Sequence, residues 1–209
     1  MRVKLKKYKV AEPSIPLIAV GVLKAYVTNP FGFMIATKLT FKRFKHSIKL
    51  DLPSDFIETA GFMAWMYIRL KKKLGNDTAF EIIRATVLTS GLAVQQANFR
   101  NVEKPRTFAN LVKYQQLNNQ EGTTKLNTME VVEQSEKRYE FRITRCLFKE
   151  FFTHINVLEL TSIMCSIDNA IFNSYLPEQI TFHRNGLGKT FMSGHKYCEF
   201  VVENHGAKP

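Results

Sequence analysis

Between Ser14 and Leu50 there is no acidic residue, and Glu12 is the one carboxylate in the first 50 positions. Those 50 residues hold eleven Lys and Arg, so +10 of the formal net charge of +12 lies there, while residues 51–209 contribute +2. The basicity therefore belongs to the N-terminal segment and bears on solubility and non-specific contacts rather than on fold. Cysteine is scarce too. Three cysteines, an odd and sparse set, argue against a disulfide framework and fit a reducing cytosol. Long apolar runs are missing. The best, Leu17 to Leu23, is closed at once by Lys24, far short of the roughly 18 residues a membrane span needs. A basic start followed by an apolar stretch has the outline of a signal peptide. Pro13 and Pro16 interrupt that stretch, and no A-x-A-like site precedes Lys24, so the expectation is a cytoplasmic protein that is not secreted. Internal repeats, low-complexity runs, βαβ alternation and GxGxxG are also lacking, which leaves a Rossmann reading without support.

What is present is a globular balance, with 45% hydrophobic and 23% charged residues. Seventeen Phe in 209 residues imply a large aromatic core. The pattern predicts helices over 16–27 and 31–48, with Asn29-Pro30 as the break between them. In the second, Lys38, Lys42, Lys45 and Lys49 share a face beside a stripe of Met34, Phe41, Phe44 and Ile48, which makes a basic amphipathic helix. A third helix runs from an N-cap at Ser54 to Gly75, with Phe56, Ala60, Met63, Met66 and Leu70 as its core stripe. Helices follow over 78–98, capped by Asn76 or Asp77, and over 106–117. After Gly122 the period changes to two, predicting strands over 129–133 and 138–144, with Tyr139, Phe141 and Ile143 on one face of the latter. Helices over 146–154 and 158–175 and strands over 179–184 and 197–203 complete the chain. The fold class expected is α+β: N-terminal helices, then a four-stranded antiparallel sheet built from two hairpins with two helices inserted between them. The domain reading is a basic helical segment over 1–50 and an α+β domain over 51–209.

The residues able to carry chemistry cluster late in the chain. Cys146 follows Arg145 where a predicted strand turns into a helix. A helix N-terminus and a guanidinium both favour a thiolate, so Cys146 is either a nucleophile or a buried cysteine at a tight junction. Cys165 and Asp168 lie three apart on one helix and share a face. An Asp among Phe and Ile neighbours is either a solvated surface residue or a general base or counter-ion. Arg142, opposite the aromatic strand face, and Arg184, at the end of the third strand, can each hold a carboxylate with two hydrogen bonds or stand as surface arginines. His195 and Cys198 are three apart and can pair as nucleophile and base. A zinc site would need two more ligands, and the spacing demands none, so no metal or other cofactor is expected.

The run from Tyr139 through Thr144, Arg145 and Cys146, the helix from Leu160 holding Cys165-x-x-Asp168, and the tail from Gly194 through Cys198, Glu199 and Phe200 together resemble the L-2-amino-thiazoline-4-carboxylic acid hydrolase family. Gly75 to Phe80, leading on to Gly91, resembles the family's middle helix. All three cysteines fall on motif positions in the same order, over about a third of the chain. Two departures stand out: Glu199 where the family has Asp, and a turn over 185–189 longer than usual. The resemblance implies an α+β hydrolase acting on carbon–nitrogen bonds in cyclic amidines, opening a 2-amino-thiazoline carboxylate with water to give N-carbamoyl-L-cysteine. The resemblance supplies positions; on them Cys146, Cys165 and Asp168 are read as catalytic residues, with Cys146 as nucleophile or acid and Asp168 as base. Arg142, Arg145, Arg184, Cys198 and His195 become substrate-binding residues around a small molecule bearing a carboxylate.

Two rivals remain: a small-molecule binding or sensor protein on the same scaffold, and a protein that lays the basic helix on an anionic membrane surface. The helix is read first as a solvated face docked on the core. Nucleic acid is not expected as a partner, since no helix-turn-helix, zinc finger or single-strand aromatic platform is present. The sequence sets no expectation for oligomeric state.

Overall fold

The computed structural model describes residues 14–99, 105–121, 125, 127–184 and 189–206. The elements run α1 (Ile15–Leu23), α2 (Pro30–Ser47), α3 (Ser54–Phe56), a π-helical turn (Ile57–Gly61), α4 (Phe62–Leu74), α5 (Asn76–Phe99), α6 (Phe108–Glu121), β1 (Thr128–Gln134), β2 (Arg138–Arg145), α7 (Leu147–His154), α8 (Leu160–Asn173), β3 (Ile180–His183), a 3₁₀ turn (Phe191–Ser193) and β4 (Cys198–Asn204). This is the expected α+β order of helices, hairpin, two helices and a last strand pair. Among the described residues, no helix is long and apolar enough to cross a membrane. The described residues fall into two compact units, one within 14–90 and 148–164, the other within 91–147 and 165–206.

In the first unit, Asn29 caps α2 by accepting the Gly32 N–H at 2.8 Å, and Pro30 sits at the first helical position, where its missing donor costs nothing. The face α2 buries is Phe33, Thr37 and Phe41 rather than the whole expected stripe; Met34, Phe44 and Ile48 are half-buried. Thr37 is tolerated inside because its hydroxyl donates to the Phe33 carbonyl at 2.7 Å. The predicted helix from residue 54 to Gly75 forms, with two corrections. Pro53, not Ser54, occupies the cap position, without a side-chain bond. A π turn at Ile57–Gly61 lies within the helix, and Phe56, Ala60, Met66 and Leu70 of the expected stripe are buried together with Ala64 and Tyr67, while Met63 is half-buried. Gly75 closes the helix at φ 88°, a conformation that suits glycine.

In the second unit the sheet order is β1-β2-β4-β3, antiparallel throughout. β1 and β2 form a hairpin closed by the Ser135 N–H donating to the Arg138 carbonyl at 2.8 Å. β4 returns between β2 and β3, with Ile143 opposite Cys198 and Arg142 opposite Glu199. Side chains alternate across the pleat. Tyr139, Phe141, Ile143, Cys198, Phe200 and Val202 enter one core cluster with Phe172 of α8 and Leu111 and Val112 of α6. Phe141 stacks on Phe200 at 4.6 Å and Phe172 on Phe182 at 4.8 Å. Each ring contributes roughly 1.5–3 kcal/mol through burial, which fixes β4 and the residues it carries.

Candidate functional site

β4 delivers two neighbouring side chains to opposite faces of the sheet. Cys198 points with Phe200 into the apolar core, while Glu199 points the other way. Two groups of polar residues follow from that alternation.

On the core face, Cys198 meets α8 and the end of β3. Cys165 donates its thiol hydrogen to the Cys198 sulfur. The Phe191 backbone N–H, from the 3₁₀ turn, reaches the same sulfur at 3.4 Å. One helical turn beyond Cys165, Asp168 accepts from Arg184 at 2.8 Å. Arg184 is buried, donating also to the Glu199 carbonyl at 3.1 Å and the Cys165 carbonyl at 3.4 Å, with its guanidinium 4.3 Å above the Phe200 ring. These contacts occupy Nη1 and Nη2. A guanidinium carries five N–H groups, so Nε–H and an Nη1–H stay uncommitted among the described residues.

The two sulfurs are driven apart in proton affinity. The bond from Cys165, with help from the Phe191 N–H and the Arg184 charge, lowers the Cys198 pKa to about 7 against the cost of burial. Cys165 is pushed up, first because it is the donor in that bond, then by burial and the Asp168 charge. Asp168 rises to about 6 because burial outweighs the Arg184 guanidinium. Its side chain keeps 32% of its surface open although it lies deep in packed protein, which makes it the rim of the group. Together these residues offer a thiolate, a thiol donor, a carboxyl near neutrality and a cation.

On the opposite face, Arg142 donates from Nε and Nη2 to one oxygen of Glu199 at 3.1 and 3.0 Å, and Lys189 pairs with the other oxygen at 3.0 Å. Glu199 is wholly buried there, and Arg142 lies 4.6 Å from the Tyr197 ring. Arg138 continues the row, bound to Glu140 and Glu203 at 2.7 Å each. Arg142 is thus committed to an ion-pair ladder on the sheet face away from the cysteine pair.

The remaining candidates are placed by other elements. Cys146 is half-buried at the β2–α7 junction, packed against the core cluster; the first N–H of α7, on Leu147, donates to Asn127 Oδ1 at 3.0 Å. Arg145 is exposed at the end of β2, opposite Thr128. His195 is exposed after the 3₁₀ turn, its backbone N–H donating to Thr190. Among the described residues no group of three or more His, Cys, Asp or Glu is placed to hold a metal. A cavity of about 700 Å³ in the same unit, lined by Lys113, Gln116, Ser135, Gln179 and Asn204, contains none of the candidate residues.

Sequence reasoning missed the buried Glu199 as the partner of Arg142 and Lys189, and it missed the Phe191 N–H. The alternation of Cys198, Glu199 and Phe200 could have found the first. A backbone donor has no signature in side-chain type, so the second had none.

A family model described as L-2-amino-thiazoline-4-carboxylic acid hydrolase matches residues 55–202, a span that contains Cys165, Asp168, Arg184 and Cys198. No curated protein and no solved structure matches the chain.

Proposed function

Because this chain belongs to the L-2-amino-thiazoline-4-carboxylic acid hydrolase family, we propose that it hydrolyses a small cyclic amidine bearing a carboxylate at the group formed by Cys165, Cys198, Asp168 and Arg184. The observation that carries this reading is the ion pair of buried Arg184 with Asp168 at 2.8 Å beside Cys165 and Cys198, whose sulfur takes the Phe191 N–H at 3.4 Å. The nucleophile's role passes from Cys146, the sequence candidate, to Cys198.

For a 2-amino-thiazoline the steps balance as follows. The Cys198 thiolate adds to the amidine carbon, and the ring carbon–sulfur bond breaks. The departing sulfur takes the proton of Asp168, leaving an isothiourea joined to Cys198 and a carboxylate at Asp168. Water then adds to the same carbon, its proton passing through Asp168 to the amidine nitrogen. The tetrahedral species collapses to a urea, returning the hydroxyl proton to Asp168 and expelling the Cys198 thiolate. The sum is substrate plus water giving the ring-opened carbamoyl thiol, with both groups restored. The Cys165 donor stabilises the thiolate on which the first step depends and to which the last returns. The free donors of Arg184 meet the substrate carboxylate. No step passes through a metal.

The test is turnover of L-2-amino-thiazoline-4-carboxylic acid by the purified protein, with and without added divalent metal, followed by mass spectrometry. The expected result is metal-independent release of the carbamoyl product, lost in Cys198→Ser and kept in Cys146→Ser. Retention in Cys198→Ser with loss in Cys146→Ser returns the nucleophile to the strand–helix junction. Tight binding without turnover replaces the hydrolase with a binding protein.

A further inference from the structure

Helix α2 carries apolar residues on both of its sides. Phe33, Thr37 and Phe41 are buried, while Phe31, Ile35 and Leu39 are 55, 62 and 75% exposed. The exposed three step by four, so they form one stripe about 12 Å long, on the side of the helix away from the buried row. Leu17 of α1 is 63% exposed in the same compact unit. This is not the stripe that periodicity alone picks out, which lies largely inward. Exposed apolar side chains arranged in a row, rather than scattered singly, mark a surface that docks on something.

The charge around the stripe narrows the choice of occupant. Lys38 and Lys42 follow Ile35 and Leu39 by three residues each and share their arc of the helix. Both are exposed, and neither forms an ion pair among the described residues, unlike Lys45, which pairs with Glu58. The segment from Ser14 to Leu50 itself holds six cations and no acid. A stripe of Phe, Ile and Leu edged by unpaired lysines has the chemistry of a helix that lies in a lipid headgroup layer, apolar side down, with cations at the phosphates. The helix is too polar to span. A protein partner would have to supply a matching run of acids, whereas an anionic bilayer supplies that charge everywhere.

We propose that the exposed face of α2 docks the protein in the plane of an anionic phospholipid surface. Site and docking face are independent, and a failure of the hydrolase reading leaves this one untouched.

The test is co-sedimentation of the full chain with phosphatidylcholine vesicles, alone and mixed with phosphatidylserine or phosphatidylglycerol, over a range of salt. Binding is expected to the mixed vesicles, to weaken as salt rises, and to be slight on phosphatidylcholine alone. Lys38→Gln with Lys42→Gln should weaken it about 30-fold at low salt, the effect of about 1 kcal/mol for each cation. Ile35→Ser with Leu39→Ser, surface changes that leave the core intact, should weaken it at least about tenfold. No binding to anionic vesicles, equal binding by either double variant, or equal binding to neutral vesicles overturns the proposal. So does a dimer in solution that Ile35→Ser with Leu39→Ser dissociates while vesicles stay unbound, since the stripe would then cover a second copy.

Discussion

Cys165 and Cys198 bear the same functional group and hold their protons with opposite strength, because one donates to the other inside a packed core. A third group shares the site: Asp168, held near neutrality by burial. If the proposed chemistry is right, kcat/KM traces a bell, with limbs near about 6 and about 7 that belong to the carboxyl and the thiol. Asp168→Asn should lower kcat by roughly 10²–10⁴-fold and leave a single rising limb, measured as a pH–rate profile. The same carboxyl makes a stability prediction. Its folded pKa of about 6 stands above the ordinary Asp value of about 3.9. The folded state therefore binds more protons between those values. The stability this contributes is complete below about pH 4 and is lost as pH rises through about 6. Urea unfolding at a series of pH values should show the native protein losing stability over that window relative to Asp168→Asn.

At the scale of the element, two features decide where side chains arrive. Gly75 lets the chain leave α4 at φ 88° and start α5 one residue later. A Cβ at Gly75 would meet nothing within 4 Å, so Gly75→Ala isolates backbone strain; thermal or urea unfolding should show a loss of about 1–3 kcal/mol. In β4, Phe200 stacks on Phe141 and supports the Arg184 guanidinium. Phe200→Ala should cost about 3–5 kcal/mol in urea unfolding. With Arg184 holding the substrate carboxylate as proposed, the same variant should raise KM for a carboxylate substrate through the loosened guanidinium, and steady-state kinetics read that directly.

Across the whole molecule, charge and chemistry occupy different parts of the chain. The six cations between Ser14 and Leu50 lie in one compact unit, and the cysteine, carboxylate and arginine group is built from residues 165–198 in the other. Lipid binding should thus be removable without touching turnover. The variant Lys38→Gln with Lys42→Gln should keep the native kcat/KM in solution while losing vesicle affinity, and a parallel loss of both would show that the two are linked.

The α+β order, the antiparallel sheet and most helix limits were legible because each rests on local pattern. Period two placed Tyr139, Phe141 and Ile143 on one face, and Asn29-Pro30 and Gly75 set helix limits through their own backbone preferences. Cys165-x-x-Asp168 could be read as a pair because three residues make one turn of helix. Two things were decided only by packing. The strand order brought β4 between β2 and β3, which set Cys198 against Cys165 and put Glu199 beside Arg142, pairings across 33 and 57 positions of sequence. Burial then assigned the proton affinities, since desolvation and a neighbour's hydrogen bond are properties of a place in the fold and not of the residues that occupy it.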